Sequence, residues 1–181
     1  LTDATAYSLQ YLGPPYVWGS QLLADNISIV SQNATAVASS VVYWMGVDKF
    51  YFYDGRVQTL NCDLRRYVFQ DFDQNQSDQV YAGTNEGFNE VWWFYPTANS
   101  QYNNAYVVYN HLERIWYYGY LNRTAWLDSP LRTSPQAAFT IQTSYLSADI
   151  TAAATSITVF NGDSYPYAGT VQIDSEKITY T

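Results

Sequence analysis

The sequence predicts an all-β protein built from antiparallel sheets, and three observations support this fold class. Aromatic residues make up 18% of the 181 residues, and Tyr alone occupies 19 positions. Rings and β-branched side chains fit the half-buried surface of a pleated sheet, whereas the strong helix formers Lys, Glu, Met and Arg are scarce. Short apolar runs also recur along the chain between turn-forming residues, which is typical of strands joined by tight connections.

Two Gly-containing turns mark the clearest hairpins. The runs VVYWMG, KFYFY and RVQTL lie within residues 41–60, and Asp54-Gly55 joins the last two. Asp-Gly between apolar runs is a strong hairpin signal because both residues tolerate a positive φ. A second hairpin is predicted from QVYAGTN (79–85) and NEVWWFYPT (89–97) around Glu86-Gly87. LNRTAWLD (121–128) supplies one further short strand.

A repeat is indicated by two similar segments 65 residues apart. VYWMGVDKFYFYD (42–54) aligns with VVYNHLERIWYYG (107–119), with an acidic residue before a basic one at the same offset in both. Repeated short antiparallel strands predict part of a β-propeller, whose known repeats run about 40 to 50 residues, so this unit would be a blade with long loops. A β-sandwich is the alternative architecture.

The aromatic strands are predicted to be buried on both faces. In KFYFY, alternation places Phe50 and Phe52 on one face and Tyr51 and Tyr53 on the other. VWWFY (91–95) is equally two-sided, as expected for sheets covered twice, such as stacked blades. We expect most of these rings to form the core and the remainder to lie at subunit contacts, where Tyr and Trp are enriched.

The composition changes toward the C-terminus and predicts three regions. Residues 1–128 form the propeller-like domain, residues 129–146 connect it, and residues 147–181 form a small, truncated β module. SPLRTSP (129–135) opens the connecting region with two prolines. The module strands are predicted at SITVF, GTVQID and EKITYT. Since the chain starts at Leu1 and stops in a predicted strand, we expect it to be an internal portion of a longer polypeptide.

Charge and cysteine content exclude several classes of function. The formal net charge is −8 and the isoelectric point about 4.3, so the field of the protein repels phosphates, and no specific nucleic-acid site is expected. The single cysteine, Cys62, excludes a disulfide within the chain and a thiolate metal cluster. The sequence lacks a run of about 18 apolar residues and a signal-peptide pattern, so no membrane anchor is expected.

No catalytic, metal or cofactor residue is assigned. DFDQNQSD (71–78) imitates the start of a calcium loop, but Gln76 and Ala82 stand where that loop needs Gly and Glu, so a solvated loop is expected. His111, the only histidine, is interpreted as a turn residue. Glycoside hydrolysis needs two facing carboxylates, and no pattern pairs the candidates, so we predict that the protein is not an enzyme. Those candidates are Asp48, Glu90, Glu113 and Asp128.

The turn positions of two of these carboxylates offer a simpler interpretation. Asp48 and Glu113 each precede a basic residue in a predicted hairpin turn. A charge pair at a solvated tip is therefore expected at both places.

Four sequence blocks in consistent order carry a resemblance to a known family. They are ISIVSQ (27–32), YWMGVDKFYFYDGRVQ (43–58), FNEVWWFYP (88–96) and YNHLERIWYYG (109–119). Together they resemble a group of virion structural proteins from the tails of short-tailed bacteriophages, and the resemblance covers residues 16–128. It implies a propeller-like nozzle or hub protein around the tail axis, through which DNA leaves the particle, and no cofactor.

The C-terminal segment also resembles a known type of module. LSADITAAATSITV and GTVQIDSEKITYT look like a small β module at the ends of phage tail and fibre proteins. The two resemblances imply a virion structural subunit that self-assembles and contacts other tail proteins on the portal side and among the fibres. The alternative function is a carbohydrate- or receptor-binding module of a tail fibre, in which exposed rings stack on sugars.

Overall fold

Strands dominate the computed structural model, which describes residues 1–2, 4–98, 100–128, 134–138, 169–173 and 176–180. The protein is mostly β, with 48% of the described residues in strands, and its sheets are antiparallel, which confirms the predicted fold class at this level. The chain divides into two units, Leu1–Phe139 and Thr140–Thr181.

The first unit begins with a long two-stranded ribbon. Strands β1 (Thr5–Tyr11) and β2 (Trp18–Asp25) pair only with each other among the described residues. Their register is continuous from Tyr7, opposite Leu22, to Tyr11, opposite Trp18. We call β1, β2 and the connection between them the ribbon.

Four consecutive strands after the ribbon form the first meander. They pair in chain order, as predicted for residues 41–60, with one more strand in front. Gly55 has φ of +116°, which explains why Asp54-Gly55 can close the last hairpin. The strands are β3 (Thr35–Ala38), β4 (Val41–Met45), β5 (Phe50–Tyr53) and β6 (Val57–Leu60).

Helical structure replaces the solvated loop expected over residues 71–78. Helix α1 spans Arg65–Asp71, and a 3-10 helix spans Gln74–Gln79. Val68 and Phe72 are buried against the core and hold this segment in place. The prediction was wrong here because a helix of two turns presents too few apolar positions for a periodic pattern to be visible.

A second meander of four strands follows, and its strands also pair in chain order. The predicted hairpin around Glu86-Gly87 is confirmed, with a 3-10 turn at Glu86–Phe88. The strands are β7 (Tyr81–Asn85), β8 (Glu90–Tyr95), β9 (Ala105–Asn110) and β10 (Ile115–Tyr120). The 65-residue shift therefore aligns two hairpins that hold different positions: β4–β5 is central in its meander, whereas β9–β10 is terminal.

The first strands of successive sheets lie side by side. Strand β11 (Ala125–Leu127) pairs with β12 (Gln136–Ala138), and β12 lies inside the segment predicted to be a connection. Strands β3, β7 and β11 begin at residues 35, 81 and 125, which are 46 and 44 residues apart. The amide N of Ala82 donates to the Asn33 carbonyl just before β3, at 2.8 Å, and the Trp126 Nε1 donates to the Thr84 carbonyl of β7, at 2.7 Å.

Both faces of the aromatic strands are covered, as predicted. Phe50 and Trp93 are fully buried in a core shared by the two meanders, with ring centroids 5.0 Å apart. Tyr51, on the opposite face of β5, is 4% exposed. On the other face of the second meander, Trp126 stacks on Trp92 at a centroid distance of 5.0 Å. The second meander is thus packed between the first meander and the β11–β12 hairpin.

The second unit contains one described hairpin. Strands β13 (Gly169–Ile173) and β14 (Glu176–Tyr180) pair along their whole length. They match two of the three strands predicted for the C-terminal module. The third, SITVF, lies outside the described residues.

At Gly83 the β11 hairpin closely approaches the second meander. A Cβ built on Gly83 would overlap with Trp126 Cδ1. We expect Gly83→Ala to displace the indole and to lower the free energy of unfolding by about 1–3 kcal/mol, measured by urea denaturation. Gly87→Ala is the matched control because a Cβ there meets nothing within 4 Å. Equal stabilities for the two variants would contradict the tight contact.

Candidate functional site

The ribbon separates its side chains into two unlike faces. Cross-strand partners share a face in an antiparallel pair, so Tyr7 lies with Leu22, and Tyr11 with Trp18. Leu9 lies between these pairs. We call these five residues the apolar ribbon face. The opposite face carries small and polar side chains: Ala6, Ser8, Gln10, Gly19, Gln21 and Ala24.

Solvent covers the face that a folded protein would normally bury. Leu9 is 74% exposed and Trp18 65%, and Tyr7, Tyr11 and Leu22 are also exposed. The connection at the tip adds three exposed apolar side chains, Leu12, Tyr16 and Val17. The Tyr11 and Trp18 rings pack edge to face with centroids 5.6 Å apart. Contiguous exposed apolar surface of this kind marks sites of interaction with other molecules.

The base of the ribbon is fixed to the first meander. Ala6 and Ile27 are buried in a small cluster with Trp44 and Tyr51. The Trp44 indole stacks on the Tyr51 ring with an interplanar angle of 15° and a centroid distance of 5.4 Å. One end of the ribbon is therefore held by packing, and the opposite end carries the exposed rings.

A second exposed aromatic group lies where helix α1 meets strand β10. The Tyr67 ring lies 4.4 Å from the Tyr118 ring, centroid to centroid, and its hydroxyl is 2.7 Å from that of Tyr120. These residues are 36%, 45% and 65% exposed, respectively. We call Tyr67, Tyr118 and Tyr120 the tyrosine trio. It is a polar and aromatic surface on an edge strand, since β10 pairs only with β9 among the described residues.

The four carboxylates considered for glycoside hydrolysis lie at different places in the fold, and each makes its own structural contacts. Asp48 does not pair with its neighbour Lys49, as the turn pattern suggested, but with Arg65 at 3.0 Å. Lys49 instead lies over the Tyr51 ring, 5.8 Å from its centroid. Asp128 accepts a hydrogen bond from the Glu86 amide at 2.7 Å.

Glu90 is the most heavily hydrogen-bonded of the four. Its carboxylate accepts from Trp92 Nε1 at 2.9 Å, from Asn85 Nδ2 at 3.0 Å and from the Tyr117 hydroxyl. This carboxylate thus ties three strands of the second meander together. Glu113 lies in the β9–β10 turn, where its amide donates to Asn110 Oδ1 at 2.9 Å. The expected ion pair between Glu113 and Arg114 is not found among the described residues.

The contacts of His111 and Asp73 and the burial of Cys62 also indicate structural roles. His111 lies in the β9–β10 turn, as predicted, and its ring stacks on Tyr43 at 6.2 Å. Asp73 accepts from the Asn75 amide at 2.9 Å, which occupies one oxygen of the calcium-like segment. Burial raises the pKa of the Cys62 thiol to about 12, so the nucleophilic thiolate is rare at neutral pH.

The described residues contain neither a metal-binding cluster nor a membrane-spanning helix. Within that part of the chain, no group of three or more His, Cys, Asp or Glu side chains could hold a metal ion. No helix there is long and apolar enough to cross a membrane.

Comparison of the chain with models of known protein families and with curated proteins finds no match.

Buried tyrosines give the fold a dependence on alkaline pH. Burial raises the pKa of Tyr43, Tyr81, Tyr95, Tyr109 and Tyr117 above the ordinary value of 10.0. The unfolded chain therefore releases these protons at lower pH than the folded chain does. The stabilisation is fully present below pH 10 and is lost as the pH rises through the higher folded values.

We expect the free energy of unfolding to fall steadily above about pH 10, measured by urea denaturation at each pH. Tyrosinate absorbance, recorded for the native protein and in concentrated urea, reports the two titrations. A native titration that coincides with that of the unfolded chain would contradict the buried positions of these hydroxyls.

Proposed function

We propose that this protein is a structural subunit of the tail of a short-tailed bacteriophage, in the nozzle or hub, and that it forms part of the DNA-ejection conduit by self-assembly. The observation that carries the structural role is the apolar ribbon face. Exposing so many rings to water is unfavourable, and an assembly that covers them removes that cost. The sequence resemblance over residues 16–128 supports the assignment to a phage tail.

The arrangement of the sheets supports a β-propeller as the architecture of this subunit. Blades of a propeller are four-stranded meanders, and their first strands surround the central axis side by side. Strands β3, β7 and β11 lie next to one another in this way, and their spacings of 46 and 44 residues fall within the range of known propeller repeats. The two complete meanders would be adjacent blades, and β11–β12 the start of the next.

The charge of the protein suits the wall of a conduit. A net charge of −8 offers DNA few cations, so phosphates passing such a wall gain little from releasing counterions. DNA can then be enclosed without being held. The partners under this proposal are further copies of the chain and neighbouring tail proteins on the portal and fibre sides, and the location is the virion.

The proposal is tested on the purified protein by light scattering and negative-stain microscopy. We expect closed symmetric rings whose central opening admits a DNA duplex. We also expect no retardation of duplex DNA in a gel-shift assay at low salt, where electrostatic binding is strongest. A protein that stays monomeric at all concentrations, or that binds duplex DNA tightly, would exclude the conduit.

The paired rings at the ribbon tip favour carbohydrate binding as the second candidate function. Tyr11 and Trp18 present exposed aromatic surface, and such surface can stack on sugar rings. A monomeric protein that binds glycans on an array, and loses that binding on Trp18→Ala, would support a receptor-binding module of a tail fibre instead.

A further inference from the structure

We infer that the ribbon of one copy docks on the tyrosine trio of the next copy, so that the subunits join head to tail. This inference rests on the proposed function in requiring self-assembly, and it adds the two surfaces that meet. The partner is a second copy of this chain, and the contact joins two different patches on each subunit.

Charge is the first argument for a protein partner of matching chemistry. Residues 4–24, which include nearly the whole ribbon, contain no Asp, Glu, Lys or Arg. The stretch Ile115 to Asn122, which contains β10, is uncharged as well. The centres of protein interfaces are depleted in charged residues and enriched in Tyr and Trp. The ribbon and the β10 part of the tyrosine trio fit that description, whereas Tyr67 follows Arg65 and Arg66 in α1.

Area is the second argument. The apolar ribbon face and the tip together present eight apolar side chains, each between 49% and 75% exposed. At roughly 100 Å² apiece, these side chains offer on the order of 800 Å². That value is close to the surface that each partner contributes to a stable protein interface of standard size.

Contacts within the chain select the tyrosine trio as the receiving surface. Outside the ribbon, the described exposed apolar residues include Leu1, Val37, Val47, Phe88, Leu112, Ile115 and Leu127, together with the trio. The trio is a group joined by a ring contact and a hydroxyl contact, so it offers a preformed aromatic platform. Two complementary but different patches on one subunit generate a closed ring when the rotation between neighbours allows it.

The first experiment places Lys on each face of the ribbon in turn. Leu9→Lys with Leu22→Lys charges the apolar ribbon face, and Gln10→Lys with Gln21→Lys adds the same charge on the same strands but on the opposite face. We expect the first pair to weaken self-association at least tenfold in sedimentation velocity, and the second pair to assemble like the wild type. Circular dichroism verifies that both variants are folded. Assembly of the first variant at wild-type affinity would overturn the inference and leave the proposed function standing.

The second experiment tests the receiving surface by mixing. Tyr118→Lys with Tyr120→Lys is expected to be monomeric alone. In a mixture with the protein that carries Leu9→Lys and Leu22→Lys, the trio variant supplies an intact ribbon. The ribbon variant supplies an intact tyrosine trio. We therefore expect a discrete heterodimer and no ring.

Each other result has a defined meaning. If the variant with altered Tyr118 and Tyr120 assembles normally, the ribbon has a different partner, such as a second ribbon, and the head-to-tail contact is wrong. Glycan binding by a ribbon that does not mediate association would also overturn it. A wild-type protein that never associates would exclude the proposed function together with this contact.

Discussion

Trp93→Ala is expected to lower the free energy of unfolding by about 3–5 kcal/mol, because it empties the centre of the core shared by the two meanders. Trp93 is fully buried, and its ring lies 5.0 Å from Phe50 and 5.9 Å from Trp116, between centroids. The loss is large relative to the total stability of a typical domain, which is about 5–15 kcal/mol. Urea denaturation at constant protein concentration measures it, since association adds to apparent stability.

Two further variants separate the contributions of the Trp93 side chain. Trp93 Nε1 donates to the Ala34 carbonyl at 3.1 Å, and the Met45 amide donates to the same oxygen at 3.1 Å. Trp93→Phe keeps a ring in the core and removes one of these two donors, so a smaller loss is expected than for Ala. Phe88→Ala, at a position 63% exposed, should change stability by less than about 0.5 kcal/mol. A Trp93→Ala loss as small as that of Phe88→Ala would contradict the shared core.

Most strands of the two meanders, though not β3, were predictable because local chemistry determines them. Asp54-Gly55 requires a positive φ that few residues tolerate, and alternation in KFYFY fixed which side chains share a face. The extent to which each aromatic ring is buried was harder to predict from the sequence. The sequence did not distinguish fully buried rings from partly buried ones: Trp92 and Trp116 are partly buried, whereas Trp44 and Trp93 are almost completely enclosed. Neighbours from distant strands decide this, and the local sequence does not contain them.

The ribbon was missed although its sequence carried a signal. TAYSLQY and WGSQLLAD flank a Gly-Pro-Pro turn, and large apolar residues alternate with small or polar ones in the first segment. A period of two with a Gly-Pro turn is a hairpin pattern. Its exposure could not have been predicted, because alternation normally identifies the face turned toward the core of the same chain. The exposure of this face is the feature of the fold that most directly indicates a partner.

The predicted 65-residue repeat aligned residues that are not equivalent in the two meanders. The acid-base pairs Asp48-Lys49 and Glu113-Arg114 made the 65-residue alignment attractive, but they lie in turns at different positions of the two meanders. The equivalent positions begin at β3 and β7, where the sequences TAVA and YAGTN share almost nothing. The first strands of the two meanders can differ in sequence as long as their backbones pair, so a search for similar residues passes over them.

Trp44→Ala is the second substitution with a large expected effect, about 3–5 kcal/mol, because Trp44 is 1% exposed and packs between the first meander and the ribbon base. Its indole also donates to the Ser28 carbonyl at 3.1 Å. Loss of this ring should loosen the ribbon base specifically. We expect faster hydrogen exchange at Ala6 and Ile27 in the variant, with the second meander less affected.

Trp44 and Trp93 belong to different buried clusters, and this supplies the control for Trp44, since among the described residues only the partly buried Ile29 packs against both clusters. Trp44 belongs to the cluster at the ribbon base, and Trp93 belongs to the cluster between the meanders. Residues without shared partners have additive effects, so the losses for Trp44→Phe and Trp93→Phe should sum in the double variant to within about 0.5 kcal/mol. A coupling energy well above that would mean that ribbon base and meanders form one cooperative core. The ribbon would then be a rigid extension of the sheets, since it could not loosen without unfolding them.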